Sequence, residues 1–469
     1  MRVFKNQHAV KLCLTLAASA ALLITSCKKN DVGNLADAAG DSAKTEALSG
    51  RQFTLVADAY GHLSVDNKNG YYKPGDVINL KGTFKAVYFY NLKGTSASPI
   101  IIKNPSGAVT TIGNPAWGSG AYAEALRFEN CQYIKLGGET SKTQFKITGS
   151  TQSARQAYFD LILADHTDNF EVKNITITNG GTGIWAKTDP LANDPSTWHP
   201  NSYMNNLSIH DVEVTGNQNE AFYIGHTATY LDLNTNLSFY GDPSQFVAGH
   251  KYVQPIKWKN VKIYNNLVHD GGGDGIQTAA IDGLEVYKNE VRNWATNQNP
   301  SHNGGILIGG RTTNTNVHDN YVHDGWGELL QFYGSGYGSA QHVIYNNLFR
   351  DNKGAHDGIS LRGIDNAQIV ISNNTVLRTG GNSIRINGYD GRMVLPQTIN
   401  DNALIQPRVA GGVVESRAYI YTEGGGTYKE GTGALANKKI ATVTAALIDI
   451  TNYCLPKAGS PLGVTGYRK

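Results

Sequence analysis

VIYNNLFRDNKGAHDGISLR at residues 343–362 is followed closely by IVISNNTVLRTGGNSIRIN at 369–387. Laid one over the other, the two stretches share a plan. A short strand with apolar residues at alternate positions leads to an Asn pair, then come three more strand residues, a polar turn, and a last strand that alternates apolar and variable positions. Alternation with a period of two marks strands buried on one face, and runs this short leave no room for a helix. The same plan can be traced upstream in FEVKNITITNGGTGIWAK (170–187), LSIHDVEVTGNQNEAFYIGH (207–226), VKIYNNLVHDGGGDGIQTA (261–279), LEVYKNEVRN (284–293) with GGILIGG (304–310), and TNVHDNYVHDGWGELLQFY (315–333). Each unit is too small to bury a core alone, so the units must stack. Three short strands per unit then give three parallel sheets wound round one axis.

The alignment places Asn174, Asp211, Asn266, Asn289, Asn320, Asn347, Asn374 and Asn402 in one column. An Asn at a sharp bend can satisfy the backbone of the turn and bond the Asn of the next coil, so a ladder of stacked asparagines is expected. Of 44 asparagines, 32 fall between residues 169 and 402, so the excess belongs to architecture rather than to binding. The 53 glycines mark the corners, and 41 Lys and Arg against 38 Asp and Glu provide no field of the kind that holds a polyphosphate. No nucleic-acid partner is expected, and the chain is expected to act as a monomer.

Arg2, Lys5 and Lys11 precede an apolar run from Leu12 to Ile24, short for a membrane span and right for the core of a secretory signal. The run closes on Leu23-Ile24-Thr25-Ser26-Cys27, which resembles a bacterial lipobox, and Lys28-Lys29-Asn30 after it resembles the mature start of Bacteroidetes lipoproteins. That resemblance implies export, lipidation at Cys27, and a lipid anchor in the outer membrane, on its periplasmic face or at the cell surface. The three basic residues of 1–26 leave with the signal, so the mature chain balances at 38 against 38. The expected organisation is a signal at 1–26, the lipidated Cys27 and a polar tether over 27–50, and one solenoid over 51–465. Within the solenoid, a cap is expected at about 51–125, regular coils at about 126–405, and C-terminal coils and a cap at about 406–465. Cys131 and Cys454 are too few for a disulfide framework or a metal cage.

The repeat resembles the right-handed parallel β-helix superfamily, which includes pectate lyases, chondroitinase-B-like lyases and polygalacturonases. Tyr72-Lys73-Pro74-Gly75-Asp76 and the strand after it to Phe84, with Gly94-Thr95 and Pro99-Ile100-Ile101-Ile102, are similar to the first coils of the chondroitinase-B-like group. Leu455-Pro456-Lys457-Ala458-Gly459-Ser460-Pro461 is similar to the segment that closes these proteins. The resemblance covers about 52–465 and implies an all-β, single-stranded right-handed parallel β-helix solenoid with three parallel sheets and an Asn ladder. For function it implies a carbohydrate-active protein, first of all a lyase that cleaves a uronic-acid-containing polysaccharide by β-elimination.

In the last strand of each unit the Ile points inward, so the variable positions face out. Coil by coil they are Trp185 and Lys187, Tyr223, Gln277, Leu307, Gln331 and Tyr333, Ser360 and Arg362, then Arg385 and Asn387. With coils about 4.8 Å apart, these form a strip on which rings stack on sugars, amides bond hydroxyls and Arg grips a uronate. Two residues before the inward position runs a second column: Glu220, Asp274, Gly304, Glu328, Asp357 and Asn382. Carboxylates on adjacent coils stand about 5 Å apart and those two coils apart about 10 Å, which brackets retaining and inverting glycosidases. The same acids suit a Ca2+ site, and Asp and Asn also favour turns for backbone reasons. Excursions at 188–204 and 227–257 bring Trp198, Tyr203, Tyr230, Phe239, Tyr240, Phe246 and Tyr252 to one side, as for a binding wall.

Compared with the chondroitinase-B-like lyases, Glu328 to Tyr333 and, one coil on, Leu361-Arg362-Gly363 hold the places of the acidic segment and the catalytic Arg. The catalytic Lys of that family is missing, and Arg362 is followed directly by Gly363. On the lyase reading Arg362 or Arg385 neutralises the enolate-like charge, and Tyr333 or His356 moves the proton. The paired Asp-Asp and Gly-His-Gly of polygalacturonases are absent. His269-Asp270-Gly271 and His323-Asp324-Gly325 lie at turns as products of the repeat. Three functions stay open: the lyase, a glycoside hydrolase using two of Glu220, Asp274, Glu328 and Asp357, and a non-catalytic glycan-binding or adhesive protein.

Overall fold

Two left-handed residues turn each coil. Asp211, Asn265, Lys288, Asp319, Asn346, Asn373 and Asp401 end the first strand of their coils with φ between 50° and 56°. Asp270, Asn293, Asp324, Asp351, Arg378 and Gln406 end the second with φ between 48° and 60°. Asn and Asp accept this conformation more readily than other side chains, which is why they dominate both corners.

In the computed structural model the described residues are 50–119, 122–333, 340–362, 367–388, 395–408 and 416–469. Among them, three parallel sheets stack coil on coil. The first has 13 strands, from Gln52–Leu55 to Tyr428–Glu430; the second has 12, from Gly82–Phe84 to Lys438–Ile440; the third has 12, from His62–Asp66 to Ile420–Glu423. The expected all-β solenoid is therefore present. Leu12 to Ile24, Cys27 and the tether as far as residue 49 lie outside the described residues. Among the described residues, no helix is long and apolar enough to cross a membrane.

Each sheet contributes a central inward column to the core. On the third sheet Ile184, Phe222, Ile276, Ile306, Leu330, Ile359 and Ile384 pair in register, and all are fully buried. On the second, Val214, Val268, Val291, Val322, Phe349, Val376 and Leu404 do the same. Burying one such side chain is worth about 1.5–3 kcal/mol, so the columns hold the coils in register.

The Asn ladder differs from the expected column at its beginning. Asn266, Asn289, Asn320, Asn347, Asn374, Asn402 and Asn437 are linked amide to amide at 2.9–3.0 Å. Asn174 and Asp211 sit one residue earlier, at the left-handed corner. The buried Ile175 and Val212 take the ladder position in their coils, and the ladder starts where the Val212 N–H meets Asn266 Oδ1 at 3.0 Å. At the other end the ladder runs one rung further than expected, to Asn437.

The stretch 51–125, expected as a cap, contributes regular strands from its first residues, since Gln52–Leu55 pairs with Val77–Leu80. At the C-terminus the chain folds back over the second sheet. Ile448, Cys454, Leu462 and Tyr467 cover Leu348, Leu377, Ala403 and Ile405. Those second-sheet strands lose their polar outer face where the tail lies on them. Cys131 and Cys454 are both buried and free.

Candidate functional site

The register of the third sheet aligns Trp185, Tyr223, Gln277, Leu307, Gln331, Ser360 and Arg385 as one outward column. A shorter column beside it holds Tyr333, Arg362, Asn387 and Glu423. Alternation places these residues, but it does not give their exposure. Gln277, Leu307, Gln331 and Ser360 are buried, so the strip is closed at its middle. Its ends remain accessible. At one end the Lys187 ammonium lies 4.9 Å from the Trp185 ring and 5.7 Å from that of Tyr223, and it pairs with Asp189 at 2.8 Å. Burial pushes the Tyr223 phenol up to about 12, and its hydroxyl meets Thr227 at 2.9 Å. At the other end Tyr333 is exposed beside the half-buried Arg362.

The excursions pair with each other to make a small sheet of Trp198–His199, Tyr252–Pro255, Tyr230–Asp232 and Leu237–Phe239. Most of their aromatic rings pack within the excursions. Phe246 stacks on Tyr252 at 3.9 Å, Phe239 meets both at 5.3 Å, and Tyr230 meets Phe246 at 5.0 Å. Tyr203 belongs to a first-sheet strand, with Lys259 over its ring. Tyr240 reaches the strip, through Thr227 at 3.4 Å.

Backbone bonds join four of the five steps of the acidic column, Ala221 N–H to Asp274 O at 3.0 Å, Gly275 N–H to Gly304 O at 3.0 Å, Gly305 N–H to Glu328 O at 2.8 Å, and Gly358 N–H to Asn382 O at 2.8 Å. The coils of Glu328 and Asp357 are joined one residue further on, by Leu330 N–H to Gly358 O at 3.0 Å. Its Asp and Glu side chains behave differently. Asp274 Oδ1 accepts the Gly304 N–H at 2.6 Å, and Asp357 Oδ1 accepts both Asn382 N–H and Nδ2–H at 2.8 Å. Each Asp therefore spends one oxygen on the next coil, the backbone role expected of a turn residue. Glu220 and Glu328, one methylene longer, reach past the backbone.

Glu328 Oε1 pairs with Arg362 Nη2, while its Oε2 has no hydrogen-bond partner and lies 3.9 Å from His356 Nδ1. His356 rests edge-on against Trp326 at 4.3 Å. Arg385 donates from Nε to Glu423 Oε1 at 2.9 Å, and its Nη1 stands 3.5 Å from Asp357 Oδ2. Burial works against the Arg385 charge, but Glu423 and Asp357 outweigh it and raise the guanidinium above its ordinary value. Both arginines expected to neutralise a uronate thus already carry carboxylate partners.

Glu220 Oε1 stands 2.7 Å from His302 Nδ1, and Asp274 Oδ2 stands 3.8 Å from the same nitrogen. Burial, with Glu220 adding to it, pushes the Asp274 carboxyl up to about 8, against the opposing pull of the Gly304 N–H and His302. Glu220 in turn raises the imidazole of His302. Gly304 is the one position of the column from Glu220 to Asn382 without a side chain. A Cβ there would stand 3.1 Å from Leu307 Cβ, 3.4 Å from Gln331 Oε1 and 3.5 Å from Asp274 Oδ1.

Calcium does not fit between Glu328 and Asp357, where one oxygen of Glu328 is taken by Arg362 and both of Asp357 face Asn382 or Arg385. An ion that wants six to eight oxygens finds too few there. The sequence reading missed His302 and Glu423. His302 lies in the 31-residue interval between Asn289 and Asn320, longer than the intervals of 23 and 27 on either side. That excess length was the available signal. Glu423 follows the last recognisable repeat and had none.

The family model "Right handed beta helix region" matches residues 198–356 and 259–424. No curated protein matches the chain. Among solved structures, a GH136 lacto-N-biosidase from Eubacterium ramulus superposes with a TM-score of 0.51 at 13% identity, over 83% of this chain and 68% of that one. XylC in complex with xylose gives 0.42 at 11%, over 75% and 69%, and the periplasmic alginate epimerase AlgG gives 0.35 at 10%, over 83% and 84%. At 13% identity the likeness to the lacto-N-biosidase is one of fold.

Proposed function

We propose that this chain, folded as a right-handed parallel β-helix, processes a glycan by hydrolysis centred on Glu328. The observation that carries this reading is the Glu328 carboxylate itself. One oxygen is charge-paired with Arg362, and the other is buried without a hydrogen bond, 3.9 Å from His356 Nδ1. A carboxylate held in place with one oxygen free is what a nucleophile needs. Asp357, one coil on, supplies the second carboxyl. Adjacent coils lie about 4.8 Å apart, close to the separation of a retaining pair.

In this reading the bound glycan opens the cover over the buried Glu328 Oε2 and draws Arg385 away from Asp357, which then takes up a proton. Glu328 Oε2 attacks the anomeric carbon while Asp357 gives that proton to the leaving oxygen and afterwards activates water against the glycosyl intermediate. Tyr333 and Asn387 bind the sugar on one side of the bond, and Trp185, Lys187 and Tyr223 bind more distant residues of the chain. Engagement of Arg362 by Glu328, and of Arg385 by Glu423 and Asp357, weighs against β-elimination, which needs a cation for the uronate carboxylate. The fold of a lacto-N-biosidase, a glycosidase by name, is in keeping with hydrolysis. The sequence before residue 51 further supports export as a lipoprotein anchored through Cys27 to the outer membrane.

The test is incubation of the purified protein with a panel of neutral and uronate-containing polysaccharides. New reducing ends without the ultraviolet absorbance of an unsaturated uronate, and with the anomeric configuration retained by NMR, are expected. Unsaturated products would replace this reading with the lyase, and binding without products would replace it with a glycan-binding protein.

A further inference from the structure

Glu220 and Asp274 lie three and two coils on the N-terminal side of Glu328, His302 comes from the coil between Asp274 and Glu328, and no step of the proposed hydrolysis uses them. We propose that these three side chains form a binding site for a divalent transition-metal ion of the Zn2+ type.

Three observations converge on the cluster. One ligand atom from each residue lies within 4.8 Å of the other two, with His302 Nδ1 at 2.7 Å from Glu220 Oε1 and at 3.8 Å from Asp274 Oδ2. Ligands held about 2.0–2.2 Å from a tetrahedral ion stand roughly 3.3 Å from one another, so these two distances straddle the required one. The Asp274 side chain is wholly buried, yet its Oδ2 has no hydrogen-bond partner. A buried carboxylate oxygen without a partner is costly and rare, and a cation at the centre of the cluster would satisfy it. Finally, His302 Nδ1 and Glu220 Oε1 meet as an ion pair at 2.7 Å, off ideal hydrogen-bond angles, so both donors already turn toward the cluster.

The surroundings support the donors. Gly304 N–H fixes Asp274 through Oδ1 at 2.6 Å, which leaves Oδ2 to face the cluster, and Thr182 lies 3.5 Å from the second oxygen of Glu220. Such outer contacts orient ligands and limit their motion. Glu220 and Asp274 sit on the rigid third-sheet corner, whereas His302 comes from the excursion after Trp294 and its side chain is half exposed. The donor set decides the class: Ca2+ and Mg2+ prefer oxygen alone, while one imidazole with two carboxylates suits Zn2+, Co2+ or Mn2+. Three protein ligands leave a position open toward solvent, for a water or a sugar hydroxyl. The ion would also tie the excursion to the sheet.

The experiment uses the purified protein stripped with EDTA and titrated with ZnCl2 by calorimetry, with thermal unfolding followed in parallel. One Zn2+ per chain is expected, with a higher melting temperature in its presence. His302→Ala alters a half-exposed loop residue and should fold as the parent does. It should lose at least about tenfold in Zn2+ affinity, or about 1.4 kcal/mol, together with the melting shift. Asp274→Asn should lose affinity as well, and Co2+ should give a visible spectrum that His302→Ala abolishes. No Zn2+ uptake by the parent, unchanged affinity in His302→Ala, or Ca2+ binding as tight as Zn2+ would each overturn the proposal. None of these readouts depends on glycan cleavage, so the site and the proposed hydrolysis stand or fall separately.

Discussion

Asn347 Oδ1 accepts two bonds from Asn320, one from its Nδ2 at 2.9 Å and one from its backbone N–H at 3.0 Å. Asn347 in turn donates from Nδ2 to Val317 O, Tyr345 O and Asn374 Oδ1. A single buried side chain therefore joins three coils. Alternating inward side chains fix the register within each sheet, and the ladder fixes the corner between the first sheet and the second.

Asn347→Ala should accordingly destabilise the solenoid well beyond an average substitution. It leaves the Asn320 N–H and amide, two backbone carbonyls and the next rung short of partners, at about 1–3 kcal/mol for each buried group left unsatisfied. A loss of at least about 3 kcal/mol is expected in urea unfolding. Asn437→Ala, at the half-buried last rung, should cost visibly less.

Glu328→Gln should lower glycan cleavage by at least about a hundredfold, in the range seen when one acid–base or nucleophilic group is removed. It keeps the shape of the side chain, so circular dichroism and the melting curve should stay close to those of the parent. A variant that cleaves at the parental rate would remove Glu328 from the reaction.

The fold was legible because it is repetitive. Trp185, Tyr223, Gln277, Gln331 and Arg385 share a column by simple alternation, and the structure puts them there. Their exposure was not legible, because alternation decides only which face a side chain takes, and Gln277 and Gln331 are buried on the outward face. The ladder was misaligned at Asn174 and Asp211 for a physical reason: Asn and Asp suit both the left-handed corner and the ladder position beside it, and one-letter patterns do not separate the two. Arg362 and Arg385 were read as free cations, since nothing in their local sequence announces Glu328 or Glu423 as partners, 34 and 38 residues away. His302 was overlooked because it lies in an excursion outside the repeat.

Trp185→Ala should weaken substrate binding without slowing the chemistry. Its ring lies at the accessible end of the strip, several coils from Glu328. A loss of about 1.4 kcal/mol of binding, or about tenfold in KM with kcat unchanged, is the expected signature on a long glycan. A short substrate that spans only the coils of Glu328 and Asp357 should show no change. Equal loss on both substrates would take Trp185 off the binding path.

His342 gives a prediction about acid stability. Its side chain is 1% exposed, neither ring nitrogen has a hydrogen-bond partner, and it packs edge-on against Phe332 at 4.6 Å. Burial pushes the imidazole down to about 3, from an ordinary value of 6.5. Between these two values the unfolded chain takes up a proton that the folded chain refuses. Stability is therefore lost as pH falls through that window, by up to about 1.4 kcal/mol per pH unit from this residue. His342→Leu removes the titrating group from an apolar site of similar volume. The variant should match the parent at pH 7 or exceed it, since no hydrogen bond is lost, and its melting temperature should fall less steeply between pH 6 and pH 4. A parallel pair of melting curves over that range would show that His342 does not govern acid unfolding. A large loss at pH 7 would show that the imidazole holds a bond the burial argument denies.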